Sequence, residues 1–169
     1  LAHVLDAPLI PGTHLEWQWR VVELNEKADI TVKSGEDSSA KLCLSFALPS
    51  DKLSFGERTK LRLARMALGT DVPTETLCYL WDDKLPKGTE VVHVFTTRIR
   101  QVVLRSRGDP LGQWQTERRD VAADYQRLFG KESGGELPPI SALIVSADSD
   151  NTGGPSLAYF GDIKLTDSP

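Results

Sequence analysis

Cysteine, methionine and histidine are scarce in this chain of 169 residues, with two, one and three copies. Cys43 and Cys78 form no C-x-x-C and no Cys/His spacing, which excludes a zinc-finger or zinc-ribbon framework. His3, His14 and His93 belong to no H-E-x-x-H, and there is no G-x-S-x-G elbow, so the motif-defined hydrolases drop out. No G-x-G-x-x-G or G-x-x-x-x-G-K-[ST] segment is present to cradle phosphates. No apolar run approaches the roughly 20 residues of a membrane-spanning helix. Charge of one sign is also missing: 20 basic residues face 24 acidic ones for a net charge of -4. A general electrostatic grip on nucleic acid or anionic lipid is therefore not expected.

What remains is a globular composition. Hydrophobic residues are 40%, charged residues 26% and mean hydropathy -0.28, which separates the chain from disordered sequences. The length fits one domain over 1–169, large enough to hide roughly 70% of its unfolded surface without a disulfide framework. The chain opens at Leu1 without an initiator Met or a signal-type segment, the form of a mature or trimmed product.

The dominant period is two. In Leu15 to Val21, apolar residues hold every second position, which predicts a half-buried strand with Trp17 and Trp19 inward and Glu16, Gln18 and Arg20 outward. Further strand-like runs are Ala40 to Leu48, Thr76 to Trp81, Val91 to Thr97, Arg98 to Arg105, Gln113 to Arg119, Ile140 to Ala147 and Leu157 to Leu165. Turn chemistry separates them at Leu85 to Gly88, Arg107 to Pro110 and Asn151 to Gly154. Cys43 and Cys78 lie in two such runs, and two readings stay open: buried small apolar residues, or a bridge between neighbouring strands.

Two segments break the period. Ser54 to Glu57 has the S-x-x-E form of a capping box, and Leu61, Ala64, Met66, Ala67 and Leu68 follow at helical spacing up to Gly69. Arg58, Lys60, Arg62 and Arg65 make this helix basic. A second helix is predicted from Asp120 to Phe129, capped by Asp120 and closed by Gly130, with a polar loop from Lys131 to Pro139. Many short strands with two helices in connections predict a mainly β fold, an antiparallel two-sheet β-sandwich of jelly-roll type.

The most pointed chemical signal is Asp148-Ser149-Asp150-Asn151-Thr152-Gly153. Closely spaced carboxylate and amide oxygens before a glycine suit a hard cation such as calcium, with Asp148, Asp150 and Asn151 as ligands and Asp162 joining if the fold returns it. The likeness to an EF-hand loop stops at the twelfth position, which is Tyr159. The competing reading is a hairpin whose Asp and Asn side chains bond their own backbone. The second signal is aromatic: Trp17, Trp19, Trp81 and Trp114 lie in or beside strands, where flat rings and polar neighbours can hold a sugar. Trp17 and Trp19 share the face most suited to burial. The polar face around Arg20, with Arg98, Arg100 and Arg119 as further contributors, is the other expected binding surface. Candidate carboxylates for glycosidic hydrolysis are Glu16, Glu23, Asp82, Asp83, Asp148 and Asp162, too many to single out a pair.

Several ordered motifs resemble a bacterial family catalogued as domain of unknown function 3047. They are L-E-W-Q-W-R-V at Leu15, T-L-C-Y-L-W-D-D-K-L-P-K-G at Thr76, W-Q-T-E-R-R-D-V at Trp114, D-Y-Q-R-L-F-G at Asp124, D-S-D-N-T-G at Asp148 and A-Y-F-G-D-I at Ala158. The resemblance implies a bacterial protein, commonly exported, hence periplasmic or secreted, with no established catalytic residues to carry over. It also implies sequence upstream of the W-x-W-R-V strand, so an early strand is expected to be missing here. Its motif positions Trp19, Arg20, Trp81, Arg119, Asp148, Asp150, Asn151 and Asp162 are the first places to look for a site. The closing A-Y-F-G-D-I-K-L also resembles the last strand of jelly-roll carbohydrate-binding modules.

The expected function is non-catalytic binding of a glycan or similar polar ligand through Trp19, Arg20, Trp81, Arg98 and Arg119, with an optional structural calcium. The alternatives are a carbohydrate-active enzyme, or an interaction module of a cell-envelope assembly that docks through the basic helix at Ser54 to Leu68.

Overall fold

A computed structural model describes residues 1–49, 56, 59 and 74–167. Among these residues the fold is mainly β, with two sheets. The strands are β1 (Ala2–Ala7), β2 (Thr13–Glu23), β3 (Ser38–Phe46), β4 (Glu75–Trp81), β5 (Glu90–Val92), β6 (Ile99–Arg105), β7 (Gln115–Asp120), β8 (Ile140–Asp148) and β9 (Leu157–Asp167), with helix α1 (Val121–Ser133) between β7 and β8. One sheet has six strands in the order β1-β8-β3-β4-β6-β5, and the other has three, β7-β2-β9.

The alternation in β2 has the expected cause. Leu15, Trp17, Trp19 and Val21 are fully buried, and the residues between them face outward. They meet Leu42, Leu44 and Phe46 of β3 and Leu77, Tyr79 and Trp81 of β4, so both sheets share one core. Aromatic rings dominate the contact: Trp17 stacks on Tyr79 at 5.3 Å between centroids, and Trp19 meets Trp81 edge-on at 5.7 Å. Such pairs add roughly 0.5–1.5 kcal/mol each beyond the area they bury.

The central strands β3 and β4 are buried on both faces. Their second face carries Cys43, Cys78 and Leu80 against Ile30 and Val103, a smaller apolar cluster. Burial on both sides explains why their sequences read as near-continuous apolar runs. Cys43 and Cys78 are directly opposed in the register and joined as a disulfide, so the bridge reading holds.

Four expectations need correction. The larger sheet is not wholly antiparallel, because β4 and β6 run parallel. The short β5 lies between them in sequence but sits outside β6 at the sheet edge, so the chain crosses back and inserts β6 beside β4. The run Val91 to Thr97 is strand only through Val92, beyond which a turn bonds Thr96 N–H to the His93 carbonyl at 3.2 Å. α1 passes through Gly130 and ends at Ser133, where Gly134 takes the left-handed conformation (φ 66°) that releases its N–H to the Gly130 carbonyl. Ala2–Ala7 forms an edge strand on β8 that the sequence pattern did not announce. The expected basic helix at Ser54 to Leu68 lies outside the described residues apart from Gly56 and Thr59, both helical.

Candidate functional site

The outer face of the three-stranded sheet carries the most ligand-like surface among the described residues. Arg20 of β2 is paired in register with Tyr159 of β9, and Gln18 with Gly161. Directly opposed residues of antiparallel strands share a face, so Arg20 and Tyr159 stand side by side there. The Arg20 guanidinium carbon is 4.4 Å from the Tyr159 ring centre and 5.3 Å from that of Trp114. Trp114, just before β7, lays its ring edge over Gly161, where there is no side chain to lift it. Trp114 is 47% exposed and Tyr159 42%, in contrast to the other three tryptophans, which are at most 1% exposed. The result is a cation held between two solvent-facing rings, a geometry worth roughly 0.5–2 kcal/mol per contact.

Val22, next on the same face of β2, begins a cleft of about 480 Å³ whose walls include Glu26, Asp83, Arg107, Leu111 and Pro155. Asp83, a buried residue of its lining, takes a bidentate pair from Arg107, Nε to Oδ1 at 2.8 Å and Nη2 to Oδ2 at 2.7 Å. The loop carrying Leu111 and Trp114 is fixed to the sheet: Gly112 N–H donates to the Val21 carbonyl at 2.8 Å. Its turn is built on Asp109, which accepts Ser106 N–H, Lys87 Nζ and Arg105 Nη1. Burial pushes the Asp109 carboxyl up, but these donors more than offset it and hold it below the usual carboxylate range.

The remaining expected binding residues do not join this face. Trp19 and Trp81 are fully buried, because their strands turn them into the shared core, and a surface ligand cannot touch them. Trp19 donates its Nε1 to Glu117 at 3.1 Å. Arg119 is opposed to Leu15 on the inner side of β7 and gives both Nε and Nη2 to Asp124 of α1, at 2.8 and 2.7 Å. Arg98 reaches the buried Glu75 at 3.3 Å and Glu132 at 3.6 Å, and Arg100 also pairs with Glu132. These arginines tie α1 to the sheets. Glu132 serves Arg98 and Arg100, while Asp124 is the hub for Arg119, since it also accepts the Tyr79 hydroxyl at 2.8 Å and Arg127 at 2.7 Å.

The acidic turn after β8 forms a second cluster. One carboxylate oxygen from each of Asp37, Asp148 and Asp150 lies within 4.8 Å of the others. Asp37 is buried and accepts Thr152 N–H at 2.8 Å, the Thr152 hydroxyl at 2.5 Å and Asn151 N–H at 3.2 Å. Burial raises its pKa, and the donors from Thr152 and Asn151 more than offset that and lower it. Asp150 is pushed up by the hydrogen bond and charge of Asp148 beside it. Asn25 fastens the same turn: its Nδ2 donates to Thr152 Oγ1 at 2.9 Å, and its Oδ1 lies 2.0 Å from where a Cβ at Gly154 would stand. A side chain there would have to displace the Asn25 amide and its bond to Thr152. The turn is thus bonded mainly by Asp37 rather than by its own acidic side chains. Asp162 lies elsewhere, in a β9 bulge facing β2, with φ 41°.

Sequence reasoning missed Tyr159, Asp37 and the exposure of Trp114. Tyr159 was readable only as part of A-Y-F-G-D-I. Asp37 acts across 115 residues of chain, and nothing in its neighbourhood announces the turn it serves.

Fold and site together define a mainly β protein of two sheets, the smaller of which presents an aromatic pair around an arginine beside a cleft. The chain belongs to the family described as Protein of unknown function (DUF3047), which it matches over residues 1–164. No curated protein and no solved structure matches it. Among the described residues, no helix is long and apolar enough to cross a membrane.

Proposed function

We propose that this is a non-catalytic glycan-binding protein of β-sandwich, jelly-roll-like architecture, modified by the parallel β4–β6 pair. Its ligand rests on Trp114 and Tyr159 and extends toward the cleft at Val22. The observation that carries the reading is the exposure of these two rings on a sheet whose other tryptophans are all buried. Ring faces meet the apolar C–H faces of a pyranose, while Gln18 and Arg20 supply hydrogen-bond donors between them. A periplasmic or secreted location is part of the proposal, and the Cys43–Cys78 bridge supports it, because such bonds persist in oxidising compartments. The enzymatic alternative has less support: Asp83, the buried carboxylate of the cleft, is already held by Arg107. The envelope-docking alternative rests on the expected basic helix at Ser54 to Leu68, of which only Gly56 and Thr59 are among the described residues.

The test is affinity electrophoresis of the purified chain through gels containing soluble polysaccharides, beside Trp114→Ala and Tyr159→Ala. Retardation by at least one polysaccharide that both substitutions abolish is the expected result. Retardation unaffected by either substitution would place the site elsewhere.

A calcium ion held by Asp37, Asp148 and Asp150 is a second, separate proposal. It is favoured by Ser38, whose buried hydroxyl has no hydrogen-bond partner and which is opposed to Asp148 in the register, so that both side chains share a face. In a thermal melt, calcium at 100 times its dissociation constant adds roughly 2.7 kcal/mol, a rise of several degrees. That rise is expected to disappear in Asp148→Ala. An identical melting temperature with calcium and with chelator would remove calcium from the account.

A further inference from the structure

Arg20 differs from every other described arginine. Arg98, Arg100, Arg105, Arg107, Arg118, Arg119 and Arg127 each pair with at least one carboxylate. The Arg20 guanidinium lies over the two rings and pairs with no carboxylate, and its Nε is buried without an acceptor. A guanidinium carries five N–H donors and stays charged at any physiological pH. No neighbour on the outer face pairs with it: Glu16 is taken by Arg118 at 2.8 Å, the exposed Asp162 of the β9 bulge forms no ion pair with any described arginine, and Lys164, opposed to Glu16, adds a further positive charge. The platform therefore holds a fixed cation with no carboxylate partner, while the chain as a whole carries a net charge of -4. Indiscriminate adhesion to polyanions is disfavoured by that overall charge, so any preference for an anion must arise locally.

We infer that the glycan taken by this platform is acidic, a chain of pyranoses bearing oxyanions, with a carboxylate of a uronic acid as the group that Arg20 binds. This rests on the proposed glycan reading and narrows it. A sugar stacked on Trp114 or Tyr159 presents an equatorial substituent at the ring edge, where the guanidinium lies between the two aromatic faces. Charge-assisted N–H···O bonds to a carboxylate are about twice as strong as neutral ones, and the planar fork of Arg matches the two carboxylate oxygens.

The experiment compares polygalacturonate with its fully methyl-esterified form, which keeps the backbone and removes the charge. Neutral dextran, dextran sulfate and polyaspartate are controls, and affinities are read by calorimetry for the wild type, Arg20→Gln and Trp114→Ala. Polygalacturonate is expected to bind at least about tenfold more tightly than its ester, the scale of one charge-assisted bond. Arg20→Gln should bring the two to near parity, and Trp114→Ala should weaken both. Dextran sulfate binding that depends on Arg20, in place of polygalacturonate, would support the oxyanion and change its source from carboxylate to sulfate. Equal affinity for acid and ester overturns the inference and leaves the glycan reading standing. Polyaspartate bound as tightly as polygalacturonate overturns it too, as adhesion to charge alone. No binding of any polysaccharide overturns both.

Discussion

Reducing the Cys43–Cys78 bridge is the perturbation with the best-defined cost. β3 and β4 remain hydrogen-bonded neighbours whether or not the sulfurs are joined, so the bond acts mainly on the unfolded chain. It closes a loop with a sequence separation of 35. In the chain-entropy account, a loop of that size removes about 13 cal/mol/K from the unfolded state, or about 4 kcal/mol at room temperature. Total stability for a domain is usually about 5–15 kcal/mol, so this is a large share. At roughly 2–4 °C per kcal/mol for a chain of this length, reduction should lower the melting temperature by about 8–15 °C. The assay is calorimetry with and without a phosphine reductant, beside the double variant Cys43→Ala/Cys78→Ala, with peptide mass mapping to verify the thiol state. Both treatments should converge on the same lowered midpoint. An unchanged midpoint after verified reduction would refute the loop argument, and two alkylatable thiols in untreated protein would refute the bridge.

Asp124→Asn should destabilise the chain by about 3 kcal/mol, since Arg119, Arg127 and the Tyr79 hydroxyl then face a neutral amide at a buried hub. Urea denaturation measures it, and a loss under about 1 kcal/mol would show that the hub is solvated. Glu75 offers a pH test with a definite sign. Burial raises its carboxyl above the ordinary value of 4.5, against the lowering pull of Tyr125 and Arg98. A raised folded-state pKa contributes stability that is fully present below the unfolded value and is lost as pH rises through the folded one. Glu75→Gln, which keeps an acceptor for the Tyr125 hydroxyl, should therefore gain on the wild type between pH 4 and pH 7. A difference in stability that stays constant across that range would count against the assignment.

How much of this could be read from sequence depended on how many faces of an element are buried. β2 is half in the core and half in water, so its alternation stated both the strand and the direction of Trp17, Trp19 and Arg20. β1 shows the opposite case: on the sheet edge it buries little beyond Leu5 and Ala7, and A-H-V-L-D-A carries no clear period. The parallel pairing of β4 with β6 depends on where a crossover lands, and no local pattern encodes that. Gly130 was a fair helix stop by composition, yet the chain reserved its left-handed turn for Gly134, where α1 has already carried Phe129 and Ser133 into the interior. Among the site residues, Arg20 was legible because its strand was. Arg98 and Arg119 were misleading, because arginines that bind a ligand and arginines that clamp a helix look alike until their carboxylates are found. The acidic turn was found in sequence, but its central carboxylate, Asp37, was invisible because its role is wholly tertiary.

The platform is coupled to the core through one chain of polar contacts. Trp19 Nε1 donates to Glu117, Glu117 accepts Arg105 Nε at 2.5 Å, and Arg105 Nη1 donates to Asp109 at 3.1 Å. Asp109 shapes the turn that leads to Leu111, Gly112 and Trp114, so the exposed ring is set in place by a buried one. Glu117→Ala removes the middle of this chain, leaving the Trp19 donor unsatisfied in the core and Arg105 with one partner. The stability loss should be about 2–3 kcal/mol. A larger consequence is expected at the surface, where the turn loses its anchor. Three of the four tryptophans are buried, so acrylamide quenching of intrinsic fluorescence reports mainly on Trp114, which is 47% exposed. Glu117→Ala should increase that quenching and weaken polysaccharide binding together, while Trp114→Phe in the same background abolishes the quenchable fraction. If Glu117→Ala lowers stability but leaves quenching and affinity unchanged, the turn holds Trp114 through the Gly112–Val21 bond alone, and the network is a matter of folding rather than of the site.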